Sequence, residues 1–310
     1  AGGGGVLGLR LGVLGTLVWD RLYAWAGEGR APEPFEGWGG ITYSLAALAA
    51  APTPGWEVLP ILKTGADREA GARAFIRELG FSAERLLSVP EPTNHVELRY
   101  WQPERRCERL TGGVPPWQWS ELQPRLAGLD ALYLNFISGY EMELAVLQAL
   151  RAAFPGPVYT DVHSLLLGRQ ADGSRVLQPL AEWERWLSCV DVAQLNEEEI
   201  VTLTGHADLA AACAAVLAAG PRLVLVTRGG AGALYAEPTA DGARLVDVPP
   251  PAGAQPGDPT GAGDVWGATC CVRLLAGDAP HAAVLAAHRA AARKLAWRGA
   301  QGLWAHLTSD

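Results

Sequence analysis

Leu7-Gly-Leu-Arg-Leu-Gly-Val-Leu-Gly-Thr-Leu-Val18 is an almost unbroken apolar stretch that ends close to Asp20. A strand in a parallel sheet is buried on both faces and reads as such a run, so this segment is expected to open the core sheet. Downstream, Gly37, Gly39 and Gly40 precede Ser44-Leu-Ala-Ala-Leu-Ala-Ala-Ala51, a run of helix formers that stops at the breaker from Pro52 to Gly55. Glu57 to Leu62 is strand-like again. The same alternation returns with strands at 131–136, 158–161, 192–195 and 223–227 and helices at 141–153 and 209–219. After Thr260 come two further helical regions, through Ala276 and from His281 to Trp297. Strand and helix in alternation predict a three-layer α/β/α sandwich around a mostly parallel central sheet.

One segment does not fit that core. In Pro90 to Pro103 apolar residues alternate with polar ones at Val96, Leu98 and Tyr100, the period-two pattern of a strand with one wet face. With residues 20–36 it is expected to form a small β-sheet lid, 20–36 and 89–110, inserted into a main α/β domain of 1–19, 37–88 and 111–310. An exposed edge of such a sheet would offer a homodimer contact.

Composition narrows the function. Twenty-five Lys plus Arg against 33 Asp plus Glu give a net charge of −8, which argues against nucleic acid or anionic lipid as partner and favours small-molecule chemistry. The 310 residues are 49% hydrophobic, and no 18-residue uncharged apolar run suggests a membrane span. Five cysteines without C-x-x-C spacing imply neither a disulfide framework nor a zinc site and fit a reducing cytoplasm. Arg10 interrupts the apolar start, and no basic n-region frames it as an export signal. Gly3 to Gly8 matches G-x-G-x-x-G, yet no strand precedes it and no helix follows; no G-x-x-x-x-G-K-[ST] loop, G-x-S-x-G or H-E-x-x-H occurs.

The chemistry concentrates in Asp258-Pro-Thr-Gly-Ala-Gly-Asp264, a small-residue loop leading into a helix. Gly261, Ala262 and Gly263 let a ligand reach the backbone, and the free N–H groups of a helix start cradle phosphate or a developing oxyanion. A carboxylate at Asp264 in that positive end suits a general base that takes a proton from an attacking hydroxyl. A glycine turn followed by a capping Asp is the local alternative.

This loop resembles the second signature, D-T-x-G-A-G-D, of the ribokinase-like (PfkB-type) carbohydrate kinases. Asn196-Glu-Glu-Glu199 resembles the family's N-x-x-E motif, Val224 to Gly232 its strand and turn before the ATP site, and Gly39-Gly40 with the alanine-rich helix its first signature. The resemblance spans essentially the whole chain and implies an ATP-dependent kinase for a hydroxyl of a sugar, sugar derivative or nucleoside. Under it Asp264 is the base and Gly261 to Gly263 the anion hole. Asn196 and Glu199 would organise Mg²⁺ through water, although locally the same residues read as a capped, acidic helix start. Thr227, Gly229 and Gly232 would touch the donor phosphates. Asp258 stands where the family commonly has a residue linked to a monovalent cation, which would make K⁺ an activator.

Asp20, Gly39 and Gly40 would hold acceptor hydroxyls. Ser44 stands where sugar-specific members usually carry Asn, a departure that counts against ribose and fructose-type acceptors. Asn94, Asn135 and Asp161 are further candidates for the acceptor side, as is His163 for polar lining. Trp19, Trp25, Trp38 and Trp101 are candidates for stacking on a ring. Two other readings stay open: a non-catalytic ligand-binding or regulatory protein of the same fold, and a kinase for a vitamin-like heterocyclic alcohol.

Overall fold

A computed structural model describes residues 8–25, 33–51, 53–102, 105–253 and 255–309; the glycine run at 2–5 and residues 26–32 of the expected lid lie outside them. In chain order the strands are β1 (Arg10–Thr16), β2 (Val18–Tyr23), β3 (Pro34–Gly39), β4 (Glu57–Gly65), β5 (Leu87–Val89), β6 (Asn94–Gln102), β7 (Arg105–Thr111) and β8 (Ala131–Asn135). They continue with β9 (Val158–Asp161), β10 (Leu167–Arg169), β11 (Arg175–Leu177), β12 (Val192–Asn196), β13 (Leu223–Thr227), β14 (Ala233–Thr239) and β15 (Gly242–Val248). The helices are α1 (Ile41–Ala50), α2 (Glu69–Glu78), α3 (Trp119–Leu122), α4 (Leu144–Ala153), α5 (Trp183–Leu187), α6 (Glu197–Thr204), α7 (Leu209–Ala219), α8 (Ala262–Leu275), α9 (Pro280–Lys294) and α10 (Leu303–Thr308).

Among the described residues nine strands form the central sheet in the order β15-β14-β13-β12-β9-β8-β1-β4-β5. It is parallel from β13 to β5, with β14 and β15 added antiparallel at one edge. Successive side chains of a strand point to opposite faces, and the two cores follow that rule. Leu11, Val13, Tyr133, Leu223 and Leu225 pack with α1, α8 and α9 on one face. Leu14, Leu132, Leu134, Val224 and Val226 pack with α4, α6 and α7 on the other. The expected three-layer α/β/α architecture is what the chain adopts. No single helix among the described residues is long and apolar enough to cross a membrane.

A second, four-stranded sheet has the order β3-β2-β6-β7. Val96, Leu98 and Tyr100 face inward at 5%, 4% and 8% exposure, as their alternation requires. The stretch 7–18 is not one strand. β1 ends at Thr16, and at Val18 the chain passes into β2 of the second sheet, pairing with β3 and β6. Both sides of the junction are buried, so hydrophobicity alone does not show where the chain changes sheets. The helix expected from Glu141 starts instead at Leu144. Glu141 is spent on the preceding loop, where its carboxylate accepts the N–H groups of Ile137, Ser138 and Gly139 at 2.9, 2.6 and 2.9 Å.

Candidate active site

Parallel register aligns the carboxyl ends of four central strands. Asn135 of β8 stands opposite Asp161 of β9, Asp161 opposite Gln194 of β12, and Asn196 opposite Thr227 of β13. Ligands of open α/β sheets bind outside such an edge, and the loop 258–264 crosses it into α8. At Gly261 the backbone turns left-handed (φ 79°), and a Cβ would lie 2.3 Å from Cγ of the Tyr43 ring, so both conformation and space require glycine. Among the described residues the N–H groups of Gly261, Gly263 and Asp264 find no backbone or side-chain acceptor, whereas the Ala262 amide donates to Pro259 O at 3.1 Å. The free donors at this helix start are thus three, and Ala262 is not one of them.

Asp264 is held from several sides. Asn135 Nδ2 donates to its Oδ1 at 2.9 Å, and Ser44 Oγ donates to its backbone carbonyl at 3.2 Å. Gln194 Nε2 donates to the Gly263 carbonyl at 3.3 Å. Burial pushes the Asp264 carboxyl above the ordinary aspartate value, and this outweighs the Asn135 hydrogen bond and the positive charges of His163, Arg106 and Lys294. The result is a fixed carboxylate with enhanced basicity.

Beside Asp264 lies a cavity of about 50 Å³ between the central sheet's edge and the second sheet. Asp20, Gly40 and Tyr43 line it, with Arg106 and Glu108 of β7 and with His163, Arg175 and Gly261. Asp20 sits in mid-strand of β2, not at the end of the first strand, and a Cβ on Gly39 would fall 1.9 Å from its Oδ2. Burial pushes the Asp20 carboxyl well above its ordinary value, opposed by the Arg106 charge.

Arg106 Nη2 meets Glu108 Oε1 at 2.8 Å, and Arg175 Nη1 is 3.6 Å from Glu108 Oε2. Burial works against the Arg106 charge, but the Glu108 carboxylate and the Tyr100 hydroxyl outweigh it and hold its pKa above the usual arginine range. Arg106 Nη1 donates to the Tyr100 hydroxyl at 3.0 Å, which is 2.9 Å from Thr260 Oγ1. A continuous polar chain therefore ties β7 to the loop 258–264.

Other sequence candidates fall elsewhere. Ser44 is buried behind the cavity, hydrogen-bonded to the Tyr133 hydroxyl at 3.1 Å. Asn94 Oδ1 accepts the Val114 N–H at 3.2 Å, and Asn94 is not among the cavity's lining residues. Asp161 is buried, and burial pushes its carboxyl well up. None of Trp19, Trp25, Trp38 and Trp101 lines the cavity; Trp19 and Trp38 pack edge to face at 5.2 Å. The rings at the cavity are the Tyr43 phenol and the His163 imidazole. The sequence reading also missed Arg106, Glu108 and Arg175; the first two occupy alternate positions on β7 in step with buried Leu110, a signal that a period-two scan extended past Gln102 would have raised.

Residues 169–305 match the model of the pfkB family of carbohydrate kinases. The chain has a ribokinase-like fold, and its residues 169–305 resemble the pfkB family. No curated protein matches it significantly in sequence. Among solved structures it resembles Arabidopsis thaliana ribokinase complexed with ribose and ATP, at 20% identity and TM-score 0.71 over 98% of this chain and 100% of that one. It resembles Burkholderia thailandensis nucleoside kinase in complex with inosine at 16% identity and TM-score 0.73, over 96% and 95%. A pyrophosphate-dependent kinase in the ribokinase family, in a sulfate complex, aligns at 18% identity and TM-score 0.73 over 93% and 95%.

In this chain of ribokinase-like fold, residues 196–199 form a capping box. Asn196 Oδ1 accepts the Glu199 N–H at 2.8 Å, and Glu199 Oε2 accepts the Asn196 N–H at 2.8 Å. Glu199 Oε1 lies 2.7 Å from His163 Nδ1. Burial disfavours the His163 charge, but the Glu199 carboxylate outweighs it and raises the imidazole to about 9, so His163 is a cation at neutral pH. Both Glu199 oxygens are thus engaged, and among the described residues no group of three or more His, Cys, Asp or Glu is set to hold a metal. Thr227 closes β13, and the turn after it runs through Gly229 (φ 53°) to Gly232 (φ 91°), where a Cβ would lie 2.5 Å from Val248 O.

Proposed function

We propose that the protein is an ATP-dependent phosphotransferase that moves the γ-phosphoryl group to a hydroxyl of a sugar, sugar derivative or nucleoside. The observation that carries the reading is Asp264: a part-buried carboxylate of raised basicity, aimed by Asn135, at a helix start with free N–H groups and beside a polar cavity. Asp264 takes the proton of the attacking hydroxyl. The N–H groups of Gly261, Gly263 and Asp264 face the charge that develops on the transferring group. Asp20, Arg106 and Glu108 meet acceptor hydroxyls, with carboxylate and guanidinium supplying acceptors and donors respectively. Because Glu108 already pairs with Arg106 and Asp20 adds a second carboxyl to the lining, a neutral polyol surface suits this pocket better than an acid. Asn196 and Glu199 would hold Mg²⁺ through water, and Thr227, Gly229 and Gly232 would contact the donor phosphates.

Ligand-sized sites usually enclose roughly 300–1,000 Å³, so a cavity of about 50 Å³ admits no sugar as it stands. The four-stranded sheet is therefore a lid, the second part of a chain whose main α/β part carries Asp264, and it opens for the acceptor and closes through the Arg106–Tyr100–Thr260 chain.

The test is a coupled ADP-release assay with Mg·ATP across sugars, polyols, sugar acids and nucleosides, with a parallel phosphate-transfer assay using pyrophosphate as donor. Turnover on one acceptor class is expected, and Asp264→Asn is expected to lower kcat by at least about 10²-fold with little change in donor binding. Donor binding without turnover on any acceptor would overturn the kinase reading in favour of a ligand-binding protein of this fold.

A further inference from the structure

Lys294 is one of two lysines in the chain, is the last residue of α9, and is completely buried. Its Nζ donates to the backbone carbonyl of Asp258 at 3.0 Å and lies 3.6 Å from Asp258 Oδ2. It also sits 5.4 Å from the centre of the Tyr43 ring, the ring that presses on Gly261. Asp258 Oδ1 accepts the Thr260 N–H at 3.0 Å, while Oδ2 is buried with no hydrogen-bond donor. The Asp258 N–H donates to Leu295 O at 2.9 Å, so the carbonyl next to Lys294 is committed to the same loop.

Asp258 is the residue at which the family resemblance implies a monovalent cation, and the surrounding groups do not fit one. An ammonium already occupies the carbonyl of Asp258 and supplies the counter-charge to its carboxylate. A second cation drawn to these oxygens would meet the charge of the fully buried Lys294 at close range, where screening is weak.

We propose that the Lys294 ammonium is a built-in monovalent cation for the loop 258–264, so that the protein needs no K⁺. The tethered charge ties the end of α9 to the start of that loop. It also helps hold the Asp264 carboxylate in its charged form. Burial pulls the Lys294 pKa down, and the Asp258 charge and hydrogen bond oppose that fall.

The proposal rests on the kinase reading only where turnover is measured, so its first test uses stability. Thermal unfolding of the full chain is compared in KCl, NaCl and tetramethylammonium chloride at equal ionic strength. The native protein is expected to melt within about 1 °C in all three, since no cation site is left to fill. A rise specific to K⁺ would overturn the proposal, whether or not an acceptor has been found. Lys294→Met keeps the apolar stem and removes the charge. It is expected to melt at least about 5 °C lower in tetramethylammonium chloride, through an uncompensated Asp258 carboxylate, and to regain part of that loss in KCl. Unchanged melting of this variant in every salt would also overturn the proposal. If it fails to fold, the native comparison still decides. Once an acceptor is known, native turnover is expected to vary less than twofold among the three salts.

Discussion

At the residue scale the proposed base is defined by what surrounds it. A free aspartate in water titrates near 3.9; Asp264, partly withdrawn from solvent, is raised above that, with Asn135 as the hydrogen bond that restrains the rise. As the proposed base Asp264 works in its carboxylate form, so kcat is expected to fall as pH falls through the raised value. The acid limb of the kcat profile is expected above the ordinary aspartate range. Asn135→Ala removes a donor to the charged form, so the acid limb should move to still higher pH while the plateau rate falls less steeply. An acid limb that stays in place in this variant would show that Asn135 does not tune the base, and a merely structural role for it would lower the plateau without shifting the limb. Asp264 and its glycine loop could be picked out from Asp258 to Asp264 because that chemistry is local. Asn135 could be named only as one polar residue at a strand end, since its partner lies 129 residues away.

At the element scale, the start of α8 is shaped by glycine and packing together. Gly261 adopts φ 79° under the Tyr43 ring, on a helix that packs on α1. Gly261→Ala places a methyl where the ring already stands and in a backbone region that alanine avoids. It is expected to destabilise the fold by at least about 1–3 kcal/mol. Urea unfolding would read this loss, and a midpoint equal to the native one would mean that the loop relaxes without cost. Gly263, where a Cβ meets nothing within 4 Å, provides the contrast: Gly263→Ala should leave the urea midpoint close to native. The sequence marks all small residues of the loop alike. Only the packing of Tyr43 separates the position that cannot accept a side chain from the one that can.

At the scale of the whole molecule, the second sheet is coupled to the loop 258–264 through Arg106, Tyr100 and Thr260. If closure of this sheet excludes water, hydrolysis of ATP without acceptor should run far below phosphoryl transfer. Breaking the coupling with Tyr100→Phe, which keeps the buried ring and removes the hydroxyl, should raise the ratio of hydrolysis to transfer. Product analysis of ADP release against phosphorylated acceptor reads that ratio directly, and an unchanged ratio would count against closure through this contact.

The sequence by itself determined the layered architecture, because strands buried on both faces, glycine turns and helix formers leave their periods in the chain. Leu11 to Leu14 and Leu223 to Val226 show it, each apolar run dividing between the two cores. It also determined the nature of the loop at 258–264, since small residues and a carboxylate at a helix start are contiguous. The tertiary structure decided everything that depends on distant segments meeting. It moved Asp20 from the end of the first strand into the second sheet, because a chain buried on both sides of Leu17 gives no sign of changing sheets there. It brought Arg106 and Glu108 over the cavity and Lys294 against Asp258. Charges such as these read as solvated faces in a linear sequence, and only burial against an opposite charge gives them a role.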